Sequence, residues 1–322
     1  MLELDKILVT GGSGFIGSFL VERLIKDGYE VSVFDNNFRG RRSYLDAVSD
    51  KINFVTGDIT KPVDIKVAMR NVDTVYHLAA INGTEHFYKI PEVVLRVNTI
   101  GTINTVEALE GSDVEKFIYF SSSEIYGTPE YYPTDEKHKL VVLDPSNPRF
   151  TYSGSKIIGE IYTNTYCNKF GIDFSCVRPH NLYGPKMGYE HVLPQFIKRI
   201  VKNEEFTVQG NGTQTRSFCY ISDAIDALMQ VGQIKTNGEA FNIGNDKEEV
   251  TVLELIDVLS KVAEVELKPK FLPLLQGSTP KRKPNIDKAR KLLGYEPKVS
   301  LEEGIRATYE WYKKDIVQME MQ

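Results

Sequence analysis

Apolar and polar positions follow two rhythms along the first half of the chain. Short apolar runs at Lys6–Thr10, Glu30–Asp35, Ile52–Val55, Thr74–Leu78, Lys116–Ser121 and Asp173–Arg178 read as strands. Between them, Phe15–Asp27, Pro62–Arg70, Pro91–Leu109 and Tyr152–Phe170 read as helices. In the first of these, Phe15, Ile16, Phe19, Leu20 and Leu24 share one side, and Gly28 follows as a stop signal. Apolar strands alternating with helices predict an α/β fold with a parallel sheet covered on both faces. Right-handed crossovers then make that sheet doubly wound. Beyond Arg178 the pattern is broken by Pro179, Pro185, Pro194, Pro269, Pro273, Pro280, Pro284 and Pro297. The expected division is a sheet domain over residues 1–178 and a smaller mixed α/β lobe over 179–322. The segments Arg216–Leu228 and Ala240–Ile243 are expected to return to the first domain.

Composition narrows the class. The 322 residues are 41% hydrophobic and 26% charged, which suffices for a large core without covalent staples. A formal net charge of -5 gives no positive field for a polyanion, so nucleic acid is excluded as a partner. Cys167, Cys176 and Cys219 have no metal-like spacing, and their odd number argues for reduced thiols; no metal site is expected. No apolar run approaches the roughly 20 residues of a membrane span, and the opening MLELDKILVTGG does not read as a signal peptide. A cytoplasmic protein with no membrane partner is the expectation.

Chemistry enters at TGGSGFIG, between the first strand and the first helix. Gly11, Gly14 and Gly17 permit a tight turn, close approach to a pyrophosphate and close helix–strand packing. The helix start, Phe15 and Ile16, then offers free N–H groups to phosphates. Asp35, 18 residues after Gly17, suits the ribose hydroxyls of NAD and would repel the extra phosphate of NADP. Arg39, Arg41 and Arg42 lie close enough in sequence to hold that phosphate instead; NAD is the favoured cofactor. Asn36, then Asp58 and Ile59 in GDIT, are candidates for the adenosine end, and Leu78, Ala79, Ala80 and Asn98 for the remaining wall.

Tyr152 and Lys156 are four apart on a helix and share a face. A nearby ammonium and a cationic nicotinamide ring both favour phenolate, which would ready Tyr152 to take a proton from a sugar hydroxyl. Alone, such a pair is equally a surface feature. The fifth strand, however, ends in Ser121, Ser122, Ser123 and Glu124, and carboxyl ends of strands in such sheets open onto the ligand crevice. Together with the glycine turn they make a catalytic constellation.

The glycine turn, Asp35, HLAA at His77–Ala80, SSSEIYG at Ser121–Gly127 and Tyr152-x-x-x-Lys156 resemble the extended short-chain dehydrogenase/reductase family, and within it the nucleotide-sugar epimerases, dehydratases and decarboxylases. The likeness continues through RPHNLYGP at Arg178–Pro185, Gly210–Asp223 and Arg282–Gly304. It implies a Rossmann domain for residues 1–178 and a substrate-binding lobe after it. It implies catalytic roles for Ser122, Ser123, Tyr152 and Lys156. It implies that Asn181 touches the substrate and that Arg216 and Arg282 clamp the nucleotide diphosphate, a task suited to guanidinium. It also implies a homodimer built on Pro91–Leu109 and Tyr152–Phe170.

The family's shared first step is oxidation at C4, giving a 4-keto sugar. Epimerases return hydride to the other face, dehydratases lose water, and decarboxylases lose carbon dioxide. Glu124 resembles dehydratases and decarboxylases more than simple epimerases, whereas Ser123 stands where glucose-type dehydratases carry an acid. The loop Ile81–Ile90, INGTEHFYKI, and the stretch NPRFT before Tyr152 depart from decarboxylases. The stretch Asn82–Lys89, with Asn82 and Thr84, is expected to border the sugar, and Met187–Val192 (MGYEHV), with Val192, to lie near substrate; His86 and His191 are acid–base candidates or ordinary packing histidines. A 4-epimerase is the leading expectation. A decarboxylase, a 4,6-dehydratase, a C4 dehydrogenase and a non-catalytic NAD-binding scaffold are the alternatives.

Overall fold

A computed structural model describes residues 6–274, 277 and 279–321. The first half runs β1 (Lys6–Thr10), α1 (Phe15–Lys26), β2 (Glu30–Asp35), β3 (Ile52–Thr56), α2 (Pro62–Ala68), β4 (Thr74–His77), α3 (Thr84–Lys89), α4 (Pro91–Glu107), β5 (Lys116–Phe120), α5 (Thr151–Phe170) and β6 (Asp173–Pro179). Next come β7 (Leu182–Tyr183), α6 (Val192–Val201), β8 (Thr207–Gln209), β9 (Thr215–Ser217), β10 (Cys219–Tyr220), α7 (Ile221–Gln233) and β11 (Ala240–Ile243). The chain closes with β12 (Glu249–Thr251), α8 (Val252–Ala263), β13 (Lys270–Leu272), β14 (Lys281–Arg282), α9 (Asp287–Leu293) and α10 (Leu301–Met321).

Strand residues point alternately to opposite faces, and here both faces are apolar. Ile7, Val9, Val31, Val33, Ile118 and Phe120 pack with residues of α1, α7 and α9. Leu8, Phe34, Val75, Phe117 and Tyr119 pack on the other face with residues of α2, α4 and α5. Seven strands result, all parallel, in the order β11-β6-β5-β4-β1-β2-β3. The order reverses between β1 and β4, so the crevice beyond their carboxyl ends is the ligand-binding position of this fold. A further core gathers Tyr183, Phe196, Ile197, Leu255, Leu259, Ile305 and Tyr312 from later elements.

The expected return to the sheet occurs through β11, which pairs with β6, and α7, which packs in the α1 face. Arg216 does not return with them. It lies on β9, in a separate sheet between β12 and β14. The segment read as a loop before Ile90 contains α3: Gly83 adopts φ +119, and its carbonyl accepts from the backbone N–H groups of His86 and Phe87. No helix among the described residues is long and apolar enough to cross a membrane.

Candidate active site

One cleft of about 630 Å³ runs from the β1–β2 end of the sheet to α6, β8 and β9. That volume is ordinary for a small-molecule site. Its dinucleotide end is shaped by glycine. Gly11 has φ +72, and a Cβ there would stand 2.8 Å from the Ala79 backbone. A Cβ on Gly17 would stand 2.2 Å from the Gly11 carbonyl oxygen. Gly14 caps α1 without a side-chain hydrogen bond, leaving first-turn N–H groups facing the cleft beside Phe15 and Ile16.

Asp35 lines the cleft at the end of β2, and its carboxylate accepts from Ser13 N at 3.0 Å and Asn37 N at 2.8 Å. A carboxylate has about four acceptor positions, so the group is oriented by the backbone yet keeps capacity for hydroxyls. Asn36, Asp58, Ile59, Leu78, Ala79 and Ala80 continue the lining. Asp58 is itself held by Thr60, whose N and Oγ1 both donate to Oδ1 at 2.8 Å. Asn98 departs from expectation. It is buried beneath the cleft, and its amide grips the Ile81 backbone, accepting from N at 2.7 Å and donating to O at 3.0 Å. It therefore shapes the turn after β4 and does not reach the lining.

Of the three arginines near the end of β2, Arg39 lines the cleft but is paired with an acid, and Arg41 and Arg42 lie outside the lining. Arg39 lies 3.3 Å from Glu190, Arg41 donates to Asp315 at 3.2 Å, and Arg42 sits over the Phe54 ring at 4.7 Å. A cradle that a Cβ would fill and an acid at the end of β2 fit NAD. Asp35→Ala is expected to weaken NAD binding about tenfold, the worth of a charge-assisted hydrogen bond. Calorimetric titration with NAD reads it, and unchanged affinity would remove Asp35 from the ribose contacts.

At the centre, Ser122 leaves β5 in extended conformation, and its Oγ accepts from Glu124 N at 3.1 Å. The Ser122 hydroxyl also lies near enough to the Tyr152 phenol to favour its ionised form. Lys156 donates from Nζ to Phe120 O at 2.6 Å and lies 5.8 Å from the Tyr152 ring centroid. Burial pushes the Lys156 ammonium down to about 7. It also pushes the Tyr152 phenol up to about 12, against the lowering effect of the Ser122 hydroxyl. The phenol of the chain alone is thus harder to ionise than the sequence suggested, because desolvation outweighs the nearby cations. Phe87 stacks on Tyr152 at 5.0 Å and 20°. Ser123 is buried and lines the same wall.

Glu124 and Arg282 both line the cleft, and they form a bidentate pair at 2.5 and 2.6 Å. Arg149 stands 3.7 Å from the same carboxylate. Despite burial, these cations hold the Glu124 carboxyl down at about 2. Arg282 also donates to Thr279 Oγ1, so much of its fork is engaged within the protein. Arg216 donates to the Thr215 and Thr279 carbonyls, each at 2.7 Å, and burial lowers its ionisation to about 10. Asn181 lines the cleft with φ +44 and donates to Ser217 O at 3.0 Å. Asn82, Thr84 and the exposed Val192 line it too. Of the two histidines, His191 is in the lining and His86 is not.

Sequence reasoning missed Phe38, Lys186, Gln195, Arg199 and Gln209, all of which line the cleft. Gln195 and Arg199 share a face of α6 with His191, at a spacing of four. That spacing was the one local signal available.

Comparison with known proteins places this geometry. The profile described as "NAD dependent epimerase/dehydratase family" matches residues 7–244. UDP-glucuronic acid decarboxylase 1 of Danio rerio is 34% identical over 318 residues, covering 98% of this chain and 74% of its own length. A putative UDP-glucose 4-epimerase of Methanocaldococcus jannaschii is 33% identical over 314 residues, covering 96% and 99%. The crystal structure of UDP-glucuronic acid 4-epimerase from Bacillus cereus, in complex with UDP-glucuronic acid and NAD, superposes with a TM-score of 0.88 at 31% identity, covering 96% of this chain and 99% of that one.

Proposed function

Because the chain belongs to the NAD dependent epimerase/dehydratase family, we propose that it is a nucleotide-sugar 4-epimerase, with UDP-sugars as the first substrates to test. Bound NAD supplies the acceptor for the electrons that leave the sugar carbon. Gly11, Gly14 and Gly17 with Asp35 hold it, and Tyr152 takes the proton from the C4 hydroxyl. Ser122 bridges that hydroxyl and the phenol. Lys156 stands behind the phenol, 5.8 Å from its ring centroid, where its ammonium favours the phenolate. Arg216 and Arg282 face the diphosphate, and Asn181 and Val192 flank it.

One observation carries the choice of epimerisation over loss of water. Among the described residues lining the cleft, the carboxylates are Asp35, Asp58 and Glu124. Asp35 ends β2 and Asp58 follows β3, at the dinucleotide end, and Glu124 is bound by Arg282. Eliminating water needs a free proton donor near the sugar, whereas inverting C4 needs only the Tyr152 centre and room for the sugar to turn. A decarboxylase is the second reading. Arg149, Arg216 and Arg282 outnumber the single Glu124, and the excess positive charge would suit a sugar carboxylate.

The exposed apolar residues Leu95 and Ile100 on α4, and Ile158 and Ile161 on α5, support a homodimer across these helices. Three buried, unpaired cysteines suit a reducing cytoplasm.

Purified protein incubated with UDP-, GDP-, dTDP- and CDP-sugars, without added NAD, tests the proposal by product mass, NMR and absorbance at 340 nm. A C4 isomer of unchanged mass is the expected product. Loss of carbon dioxide moves the assignment to the second reading, and loss of water or a keto sugar with stoichiometric NADH overturns both.

A further inference from the structure

Glu190 lies outside the cleft lining, yet it touches three segments that build it. Its carboxylate stands 3.3 Å from Arg39 Nη2, on the segment after β2. It stands 3.6 Å from His86 Nε2 on α3, a buried nitrogen with no hydrogen-bond partner among the described residues. Two glycines crowd its side chain. A Cβ on Gly83 would lie 2.9 Å from Glu190 Cβ, and one on Gly188 would lie 2.1 Å from Glu190 Oε2. Each segment contributes to the cleft: Arg39 from the first, Asn82, Thr84 and Phe87 from the second, Gly188 and His191 from the third.

The α3 contact reaches the reacting centre. Phe87 adjoins His86 in a helix of six residues, and its buried ring stacks on Tyr152 at 5.0 Å and 20°. Phe87 and Tyr152 share a small apolar cluster with Ile81 and Val94. So short a helix has too few internal hydrogen bonds to fix its own place. Its start at Gly83 and its His86 side are both braced by Glu190.

We propose that Glu190 is a positioning residue for Tyr152: from the segment before α6 it sets the placement of α3, and through it the Phe87 ring that packs on the phenol. The proposal rests on the reading of Tyr152 as the proton-transferring group. The same carboxylate ties α3 to the segment after β2, so the walls of the sugar end and the dinucleotide end share one anchor.

A 3-fluorotyrosine label at position 152 gives a readout that needs no substrate. Glu190→Ala is expected to shift and broaden the 19F resonance. Glu190→Gln, which keeps the shape and can still accept from Arg39, is expected to restore most of it. In a Phe87→Leu background, Glu190→Ala is expected to move the resonance little, because the ring that carries the effect is gone. A resonance unmoved by Glu190→Ala, or moved equally with and without Phe87, overturns the proposal. In turnover, Glu190→Ala is expected to lower kcat about tenfold with KM changed less than threefold; a loss confined to KM would make Glu190 a substrate contact instead. If no nucleotide sugar turns over, the proposed function fails while the 19F result still decides the role of Glu190.

Discussion

Tyr152→Phe is expected to lower kcat by about a thousandfold while leaving the fold and NAD binding nearly intact, within the range for a lost general acid–base group. The substitution removes one oxygen from a ring that is 5% exposed and stacked on Phe87. The ring remains, so the apolar cluster around it should hold. What goes is the atom able to take the C4 proton. Ser122 cannot substitute, because a serine hydroxyl is a weaker acid than a phenol and its oxygen also caps Glu124 N. Burial, which pushes the phenol to about 12, sets the sign of the pH dependence. Activity of the wild type should rise with pH as far as the basic form of Tyr152 limits the rate, and the residual rate of the variant should lack that rise. Steady-state kinetics on the epimerised substrate, with calorimetric NAD titration as a control, reads both effects. A variant keeping more than a tenth of wild-type kcat would sink the assignment of Tyr152 as the proton-transferring group.

Local signals made the nucleotide end legible in the sequence. Each strand-turn-helix unit lies within about 30 residues, and the glycine spacing and the carboxyl end of β2 follow from steric rules that act between neighbours. The catalytic wall was legible for a related reason: Ser122 ends one strand, and Tyr152 and Lys156 share a face of one helix. Where reading failed, a distant partner decided the outcome. Asn98 is a polar residue on a helix facing the cleft side, and only its grip on Ile81 shows that its amide is already satisfied. Arg39 and Arg41 resemble a phosphate-binding loop until Glu190 and Asp315, 151 and 274 positions away, are brought beside them. The α3 helix is too short to show periodicity, and its Asn82–Gly83 start reads as a turn.

Arg282→Met should cost the fold about 3 kcal/mol at pH 7, the loss expected when one partner of a buried pair is removed. Arg282 is 7% exposed and lies 158 positions from Glu124, so the pair joins β14 to the end of the central sheet. Methionine fills much of the space but leaves the carboxylate with Arg149 at 3.7 Å as its nearest cation. The pH dependence identifies the cause. In the wild type the folded Glu124 carboxyl ionises near 2, below its ordinary value of 4.5. Its contribution to stability is therefore full above about 4.5 and is lost as pH falls through 2. In the variant, burial without the bidentate partner moves the carboxyl upward, so acid relieves the buried charge rather than breaking a bond. The stability gap between the two proteins should be widest near neutrality and narrow as pH falls through the variant's raised carboxyl value and on toward 2. Urea unfolding across pH 3 to 8 measures it. A gap that stays constant over that range would mean that Arg282 stabilises through packing alone, and it would free Glu124 to be considered again as a proton donor to the sugar.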